Sequence, residues 1–445
     1  MVTRINDLAA SLSSSLDTAS TQLSRLDSYY SGTQPAAFLS PEAQKALGDR
    51  LKVLSVNFPR LVVGSLAERL TVEGFATGDD ILDAELWRIW RRNRLIEGSA
   101  QAHVEALTLG RSFAIVWAGA SSLTPRVTVE SARQVQVIRD PATGLVVAAG
   151  KRWFADGKAY MTIYEPDEIT PLQSVSNIPQ GGTVPAHGWE SRGKVIPNPL
   201  GVVPVVPLVN RGRLLDHDGV SEMDDVLELA DAVNKITSDM LVTSEYYVRP
   251  RRWATGLEIM EDAEGNPINP FHEGKERVWQ SESPETRFGQ FDASRLDGYS
   301  DALATLTQQI GAISGLPPHY LGLHGDQPAS ADAIRSAEAS LVATARARQR
   351  TFGDDWSDVM RLVLAVRDGR DVDAVDIETV WADAETRTPA QAADAASKLR
   401  SMGVALSTVQ DVTLGWTPQQ IAADRQARRA EALDGAGVDL AKLVP

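Results

Sequence analysis

Six histidines stand at positions 103, 187, 217, 272, 319 and 324 in a chain that has no cysteine. That inventory narrows the available chemistry. Thiolate catalysis, disulfides and cysteine-ligated zinc are excluded, and the missing cysteines fit a reducing compartment. His319 and His324 are close in sequence, but they occupy a Pro/Gly loop without the helical spacing that would aim two imidazoles at one metal ion. The plainer reading is a polar loop. The acidic doublets Asp79-Asp80, Asp224-Asp225 and Asp354-Asp355 suggest paired acid/base work, yet they fall at helix starts or on polar faces, where solvation accounts for them. Asp262 to Asn266 lacks the spacing and the terminal glutamate of a calcium loop. No Walker loop, no Gly-x-Gly-x-x-Gly after a strand and no Gly-x-Ser-x-Gly elbow occurs. The expectation is a protein that is not an enzyme and holds neither cofactor nor metal.

Two polar groups remain to be explained. Arg249, Arg251 and Arg252 beside Trp253 make a cationic and aromatic cluster, suited to a phosphate or a protein partner, or to plain solvation at a helix exit. Pro318, His319, Tyr320, Leu321, His324 and Gln327 have no obvious core role; Pro317-Pro318 and Pro328 stiffen the ends of their loop. A loop held between two helices is a favoured place for function.

The elements that hold these groups run from Ser221 to Arg367. A first helix starts at Ser221, whose hydroxyl is placed to cap the amide of Asp224, and carries Val226, Leu229, Ala230, Val233, Ile236, Met240 and Leu241 on one face. A second shows the cleanest period in the chain: Leu296, Tyr299, Leu303, Leu306, Ile310 and Ile313, a seam that should pack on another helix. It stops at Ser314-Gly315-Leu316-Pro317-Pro318, where Gly suits the left-handed cap and Pro cannot continue the helix. From Ser330 a third pattern runs through Ile334, Leu341, Ala345, Phe352, Trp356, Val359, Val363 and Val366 to Gly369, roughly 55 Å of helix. Between the first two lies an excursion, Arg249 to Phe291, read as a small α/β module with a turn at Glu264-Gly265-Asn266-Pro267.

Upstream, residues 1 to 31 read as a helix with Leu8, Leu12, Leu16, Leu23 and Leu26 on one side, followed by a helical region from Ala43 to Arg69. Asp79 to Asn93 and Ile96 to Leu109 are two more helices, with Trp87 and Trp90 read as core. At Ser112 the period turns alternating, with strands over 113–117, 126–130 and 135–138, and a hairpin over 146–154 and 160–164 turned by Asp156-Gly157. Residues 167 to 194 read as a mobile surface loop, and the proline-laden 198–210 as an edge strand or extended crossing. After Gly369, capping boxes at Thr388-Pro389-Ala390-Gln391, Ser407-Thr408-Val409-Gln410 and Thr417-Pro418-Gln419-Gln420 announce short helices, with Gly403 and Gly415 ending the preceding ones.

With 445 residues, 43% hydrophobic and 23% charged, the chain has the composition of a soluble protein of two or three domains. It has no apolar run long enough for a membrane span, and its first residues do not form a signal peptide. The net charge of −15 argues against a general nucleic-acid binder.

The ordered set Tyr29-Tyr30-Ser31-Gly32, Asn198-Pro199-Leu200-Gly201-Val202-Val203-Pro204, Ser314-Gly315-Leu316-Pro317-Pro318-His319-Tyr320-Leu321-Gly322 and Ser330-Ala331-Asp332-Ala333-Ile334, on a helix–insert–helix–loop–long-helix plan, resembles the portal proteins of tailed bacteriophages. The resemblance is to the branch common in siphophages of actinobacteria and covers almost the whole chain. It implies an α+β, mainly helical portal fold: wing, helical stem, small α/β clip, long kinked wing helix and short helical crown. By that resemblance 1–220 is the N-terminal wing, 221–248 and 292–314 are stem helices, and 249–291 is the clip. Residues 315–329 are then the tunnel loop, 330–385 the long wing helix and following segment, and 386–445 the crown. The implied assembly is a ring of twelve copies at one capsid vertex of the virion, put together in the host cytoplasm. Its implied partners are the major capsid protein and scaffold, the large terminase, a head–tail adaptor and double-stranded DNA passing through without sequence preference. Pro318, His319, Tyr320, Leu321, His324 and Gln327 would face the DNA; Leu296, Tyr299, Leu303, Leu306, Ile310 and Ile313 would pack the stem; Arg249, Arg251, Arg252 and Trp253 would meet partners. The rival reading is another structural virion protein, a capsid or adaptor component.

Overall fold

A computed structural model describes residues 2–35, 55–119, 124–185, 187–248, 252–256, 260–261, 267–268, 284–290, 296–323, 330–385, 389–416 and 418–435. Two compact units emerge. One joins Met1–Gln34, Asn57–Ala230 and Ile310–Pro445; the other joins Pro35–Val56 and Asp231–Gln309. No described helix is long and apolar enough to cross a membrane.

In the larger unit α1 (Val2–Ser31) lies on a six-stranded antiparallel sheet. The sheet orders β4 (Val135–Arg139), β5 (Val146–Ala155), β6 (Lys158–Tyr164), β7 (Glu168–Ser174) and β8 (Trp189–Ser191), with β9 (Ile196–Pro197) also on β7. The leucine stripe of α1 is the contact: Leu12 and Ala9 are buried against Met161, Ile163, Leu172, Val184 and Trp189. Gly150 makes the approach possible, since a Cβ there would stand 2.9 Å from Leu12 Cδ1. Arg152 then fixes the register by donating to Asp17 at 2.6 Å and to the Ser13 hydroxyl at 2.8 Å. The β5–β6 turn is the expected one, Asp156 and Gly157 taking φ of 49° and 73°.

This sheet corrects the expectation for residues 167–194. Glu168–Ser174 is a full strand between β6 and β8, and Val184 and Trp189 sit in the core under α1. The Gly, Pro and Ser content suggested an exposed loop, but Ile169 and Leu172 supply enough apolar surface to be held down by a neighbouring strand.

A second, three-stranded sheet orders β10 (Val205–Val209), β2 (Arg111–Trp117) and β3 (Arg126–Ser131). β10 is an edge strand, as its prolines require; Pro207 lies opposite Phe113. Against this sheet packs the long helix α7 (Ala331–Asp368), which also contacts β15 (Glu378–Trp381). Its ends match the sequence signals: the Ser330 hydroxyl accepts from the Ala333 amide at 3.2 Å, and Gly369 closes it at φ 66°.

The pairing of β15 with β1 (Val72–Ala76) was not expected from the sequence. With α2 (Phe58–Ala67), α3 (Asp80–Arg92) and α4 (Leu95–Leu109), these strands enclose the middle of α7 in an aromatic cluster. Trp356 meets Trp90 edge-on at 4.9 Å, Trp90 meets Phe75 at 5.2 Å, and His103 stacks on Phe352 at 5.3 Å and tilts against Trp381 at 5.5 Å. Trp90 is fully buried and Trp87 stacks beside it, in keeping with a core role.

His103 is buried, and its Nε2 accepts from the Trp356 indole N–H at 2.8 Å. Burial drives its pKa down to about 3. The folded protein therefore holds neutral imidazole while the unfolded chain titrates near 6.5. Stability from this group is present above pH 6.5 and is lost as pH falls toward 3. Asp355 acts in the opposite sense. The sequence placed it on a solvated face, but its Oδ2 is sealed in without a hydrogen-bond partner among the described residues, and burial beside Asp358 and Asp354 raises its pKa well above 3.8. Its contribution is present at low pH and fades as pH rises. We expect His103→Gln, which keeps an acceptor for Trp356 but does not titrate, to flatten the loss of stability between pH 6.5 and 3, most clearly in an Asp355→Asn background. Denaturant titrations across that range check it; an unchanged slope would show that His103 is not the titrating group.

The smaller unit contains most of α5 (Leu227–Val248) and α6 (Asp297–Ser314), joined by an insert whose described residues include short strands. The helices meet through a hydrogen bond of 3.0 Å between the Thr243 and Tyr299 hydroxyls. The start of α5 differs from expectation. Ser221 is buried, its hydroxyl accepts from the Met223 amide at 3.2 Å, and the Asp224 amide goes to the Ser221 carbonyl instead. A 3-10 turn over Asp224–Val226 precedes the regular helix. In the insert, β11 (Arg252–Thr255) pairs with β14 (Arg287–Gln290) and β12 (Met260–Glu261) with β13 (Pro267–Ile268). The expected helical part and the turn residues 264–266 lie outside the described residues.

The chain continues into α8 (Pro389–Ser401), α9 (Leu406–Leu414) and α10 (Pro418–Gly435), with Gly403 and Gly415 at φ of 90° and 63° where helices end. The Ser407 capping box is not used. The Val409 amide bonds to the Ala405 carbonyl, so the helix starts one residue before Ser407, whose side chain is then already inside the first turn.

Candidate functional site

The loop after α6 is built by small residues that admit large ones. Gly315 turns the chain at φ 71°, where a Cβ would lie 2.7 Å from the Ser340 hydroxyl. Leu316 and Leu321 are buried; Leu321 rests on Gly311, whose Cβ would come within 2.5 Å of its methyl group. Between them Pro318–Leu321 form a 3-10 turn, ended by Gly322 at φ 71°. His324 and Gln327 lie outside the described residues.

His319 and Tyr320, which seemed on sequence to lack core partners, do not hang free. The Tyr320 hydroxyl accepts from Arg69 at 3.2 Å and reaches Glu338 at 3.5 Å. Arg69 and Glu338 pair at 3.1 Å, each side chain only 9% exposed. His319 Nε2 stands 3.6 Å from the same carboxylate, its ring edge-on to Tyr320. Arg69 also donates to the Ala384 carbonyl, and Gln349 donates to the Arg69 and Ala382 carbonyls at 2.9 and 3.0 Å. Arg69 and Glu338 were missed in the sequence. Arg69 follows a helix on a segment some 250 positions away from Tyr320, and Glu338 reads as one more charge on a long helix, so no local spacing joins them.

Of the six seam residues, Leu296, Tyr299, Leu303 and Leu306 are half-buried within one chain, Ile310 is buried and Ile313 is 54% exposed. In the insert, Trp253 stands opposite Gly289, and a Cβ on Gly289 would lie 2.4 Å from the indole, so the ring lies across that glycine. Trp253 and the neighbouring Phe288 remain 39% and 42% exposed. Arg252 opens β11 opposite Gln290; Arg249 and Arg251 lie outside the described residues. Among the described residues no group of three or more His, Asp or Glu side chains could hold a metal ion.

Comparison with known proteins supplies what geometry alone does not. Residues 13–414 match the family described as phage portal protein, SPP1 Gp6-like. The portal protein of Mycobacterium phage L5 is 33% identical over 444 residues, covering 96% of this chain and 88% of that one. The portal protein of Mycobacterium phage D29 is 36% identical over 363 residues, covering 78% and 73%. Among solved structures, a chain in the neck of an empty gene transfer agent particle, computed with C6 symmetry, superposes with a TM-score of 0.50 at 14% identity, covering 85% of this chain and 94% of that one. The identity of that neighbour bears on fold alone. The match across most of the chain, together with two mycobacteriophage relatives above 30% identity, means that this chain belongs to the phage portal proteins, structural components of the virion's head–tail connector.

Proposed function

We propose that twelve copies close into a ring at one capsid vertex, a conduit through which double-stranded DNA enters during packaging and leaves on ejection. In this reading α5 and α6 line the stem, the β11–β14 insert is the clip that docks the terminase and later the head–tail adaptor, and 315–329 is the loop nearest the DNA. The observation that carries the ring is the α6 seam: Leu303 and Leu306 are only half-buried in one chain, and Ile313 is 54% exposed, so the stripe leaves apolar surface that a neighbouring copy would bury. The exposed Trp253 and Phe288 give the insert an aromatic patch of the kind that partners bury.

Charge supports the conduit. Twelve copies carry a formal charge of about −180 in total, and a wall of that sign does not gain the counterion-release affinity that would hold duplex DNA in place. Energy for packaging would come from a separate terminase motor, since this sequence carries no nucleotide-binding loop.

Negative-stain imaging of the purified protein tests the assembly. Top views with a central channel and twelve-fold symmetry, or thirteen-fold for rings formed without a capsid, are the expected result. The same imaging of intact virions at a single vertex separates a chain that needs capsid or scaffold to assemble from one that does not form rings.

A further inference from the structure

The Arg69–Glu338 pair is more than local packing. Both side chains are nearly shut off from solvent, and a buried ion pair is seldom more stable than an apolar pair of the same shape. What such a pair does well is fix position. Tyr320 lies on the turn that enters the loop, and Glu338 lies on α7, about two helical turns after the loop has ended at Ser330. Their contact therefore ties the turn to α7. Gly315 against Ser340 is a second crossing of the same kind. Arg69, from a third part of the chain, is itself held through its backbone by Gln349 and through its guanidinium by the Ala384 carbonyl.

We propose that Arg69 and Glu338 are positioning residues that latch the Tyr320 turn to the body of the larger unit. Through them the placement of the Pro318–Leu321 turn is set by residues outside it. The consequence for DNA rests on the proposed conduit: a push on the loop would pass through Tyr320 to Arg69 and so to α7 and β15. His319 belongs to the same latch, its imidazole backing the Glu338 carboxylate.

Hydrogen exchange on the assembled full-length protein tests this, with Tyr320→Phe removing only the hydroxyl and Glu338→Gln removing only the charge. The Tyr320 and Leu323 amides are bonded to the Pro317 and Pro318 carbonyls, and they report on the turn. We expect both amides to exchange about ten-fold faster or more in each variant, through a lost hydrogen bond in one and a lost charge in the other, with protection around Phe352 and Trp356 unchanged. Wild-type exchange in both variants would overturn the latch. A fall in protection throughout the unit would also overturn it, by reducing the pair to general packing. If the turn loosens but virions carrying the variants package and retain DNA as the wild type does, the latch stands and the DNA-facing role of the loop falls.

Discussion

Trp356→Ala should lower the stability of the protein by about 3–5 kcal/mol, among the largest effects of any single side-chain truncation. Trp356 is fully buried at the middle of α7, edge-on to Trp90 and 5.9 Å from His103. Truncation opens a cavity where four elements converge, and their backbones cannot all move inward. It also strands the His103 Nε2, which accepts from the Trp356 indole at 2.8 Å, at a further cost of roughly 1–3 kcal/mol for a buried unpaired group. For a unit of this size the melting temperature should fall by roughly 5–10 °C. Trp356→Phe, which keeps an aromatic ring but loses the N–H, should fall between. Thermal and denaturant unfolding decide it, and a melting temperature within a degree or two of wild type for the alanine variant would remove the cluster from its central place.

Leu303→Asp or Leu306→Asp should abolish rings while leaving the single chain folded. Both side chains sit half-buried on α6, so one chain can present a carboxylate there to water. A neighbour cannot cover it without desolvating an unpaired charge, which costs several kcal/mol. In a closed ring each copy has two neighbours, so the penalty recurs at every contact. Light scattering should give monomers with unaltered circular dichroism and melting. Wild-type rings from either variant would refute the seam as the packing surface, and an aggregated or unfolded product would mean instead that α6 is needed within its own chain. Leu303→Ile, which keeps the apolar surface, should still assemble.

What the sequence disclosed follows the range of the interactions. Local signals were legible: the Ser330 cap and Gly369 stop bound α7, Asp156-Gly157 turns its hairpin, and the leucine stripe of α1 is its buried face. Signals with a distant partner were not. β1 is five residues with a glycine in the middle, and it becomes a strand only because Glu378–Trp381 lies beside it. β7 and Trp189 looked like loop because their turn-forming neighbours outweighed two or three apolar residues that α1 and β6 hold down. The candidate site divides in the same way. The stop of α6 could be read from Gly315 and Pro317-Pro318, whereas the 3-10 turn after it and the clasp on Tyr320 could not, the clasp needing Arg69 from a distant segment. Asp355 looked solvated because a helical period does not reveal which polar position faces a sheet edge.

The β1–β15 pairing also sets an order of events on the ribosome. When β1 leaves the exit tunnel its partner has still to be translated, about 300 codons downstream, and at about 5–20 residues per second that delay is roughly 15–60 s. Until then Trp90 lacks Trp356, His103 lacks Trp381, and the edge of β1 is open. The smaller unit has no such wait, because its last residue is Gln309 and α6 is finished at Ser314. The nascent chain thus carries a finished middle before its outer unit can close, and the interval when β1 is exposed is when a chaperone, or a second nascent chain, would find it.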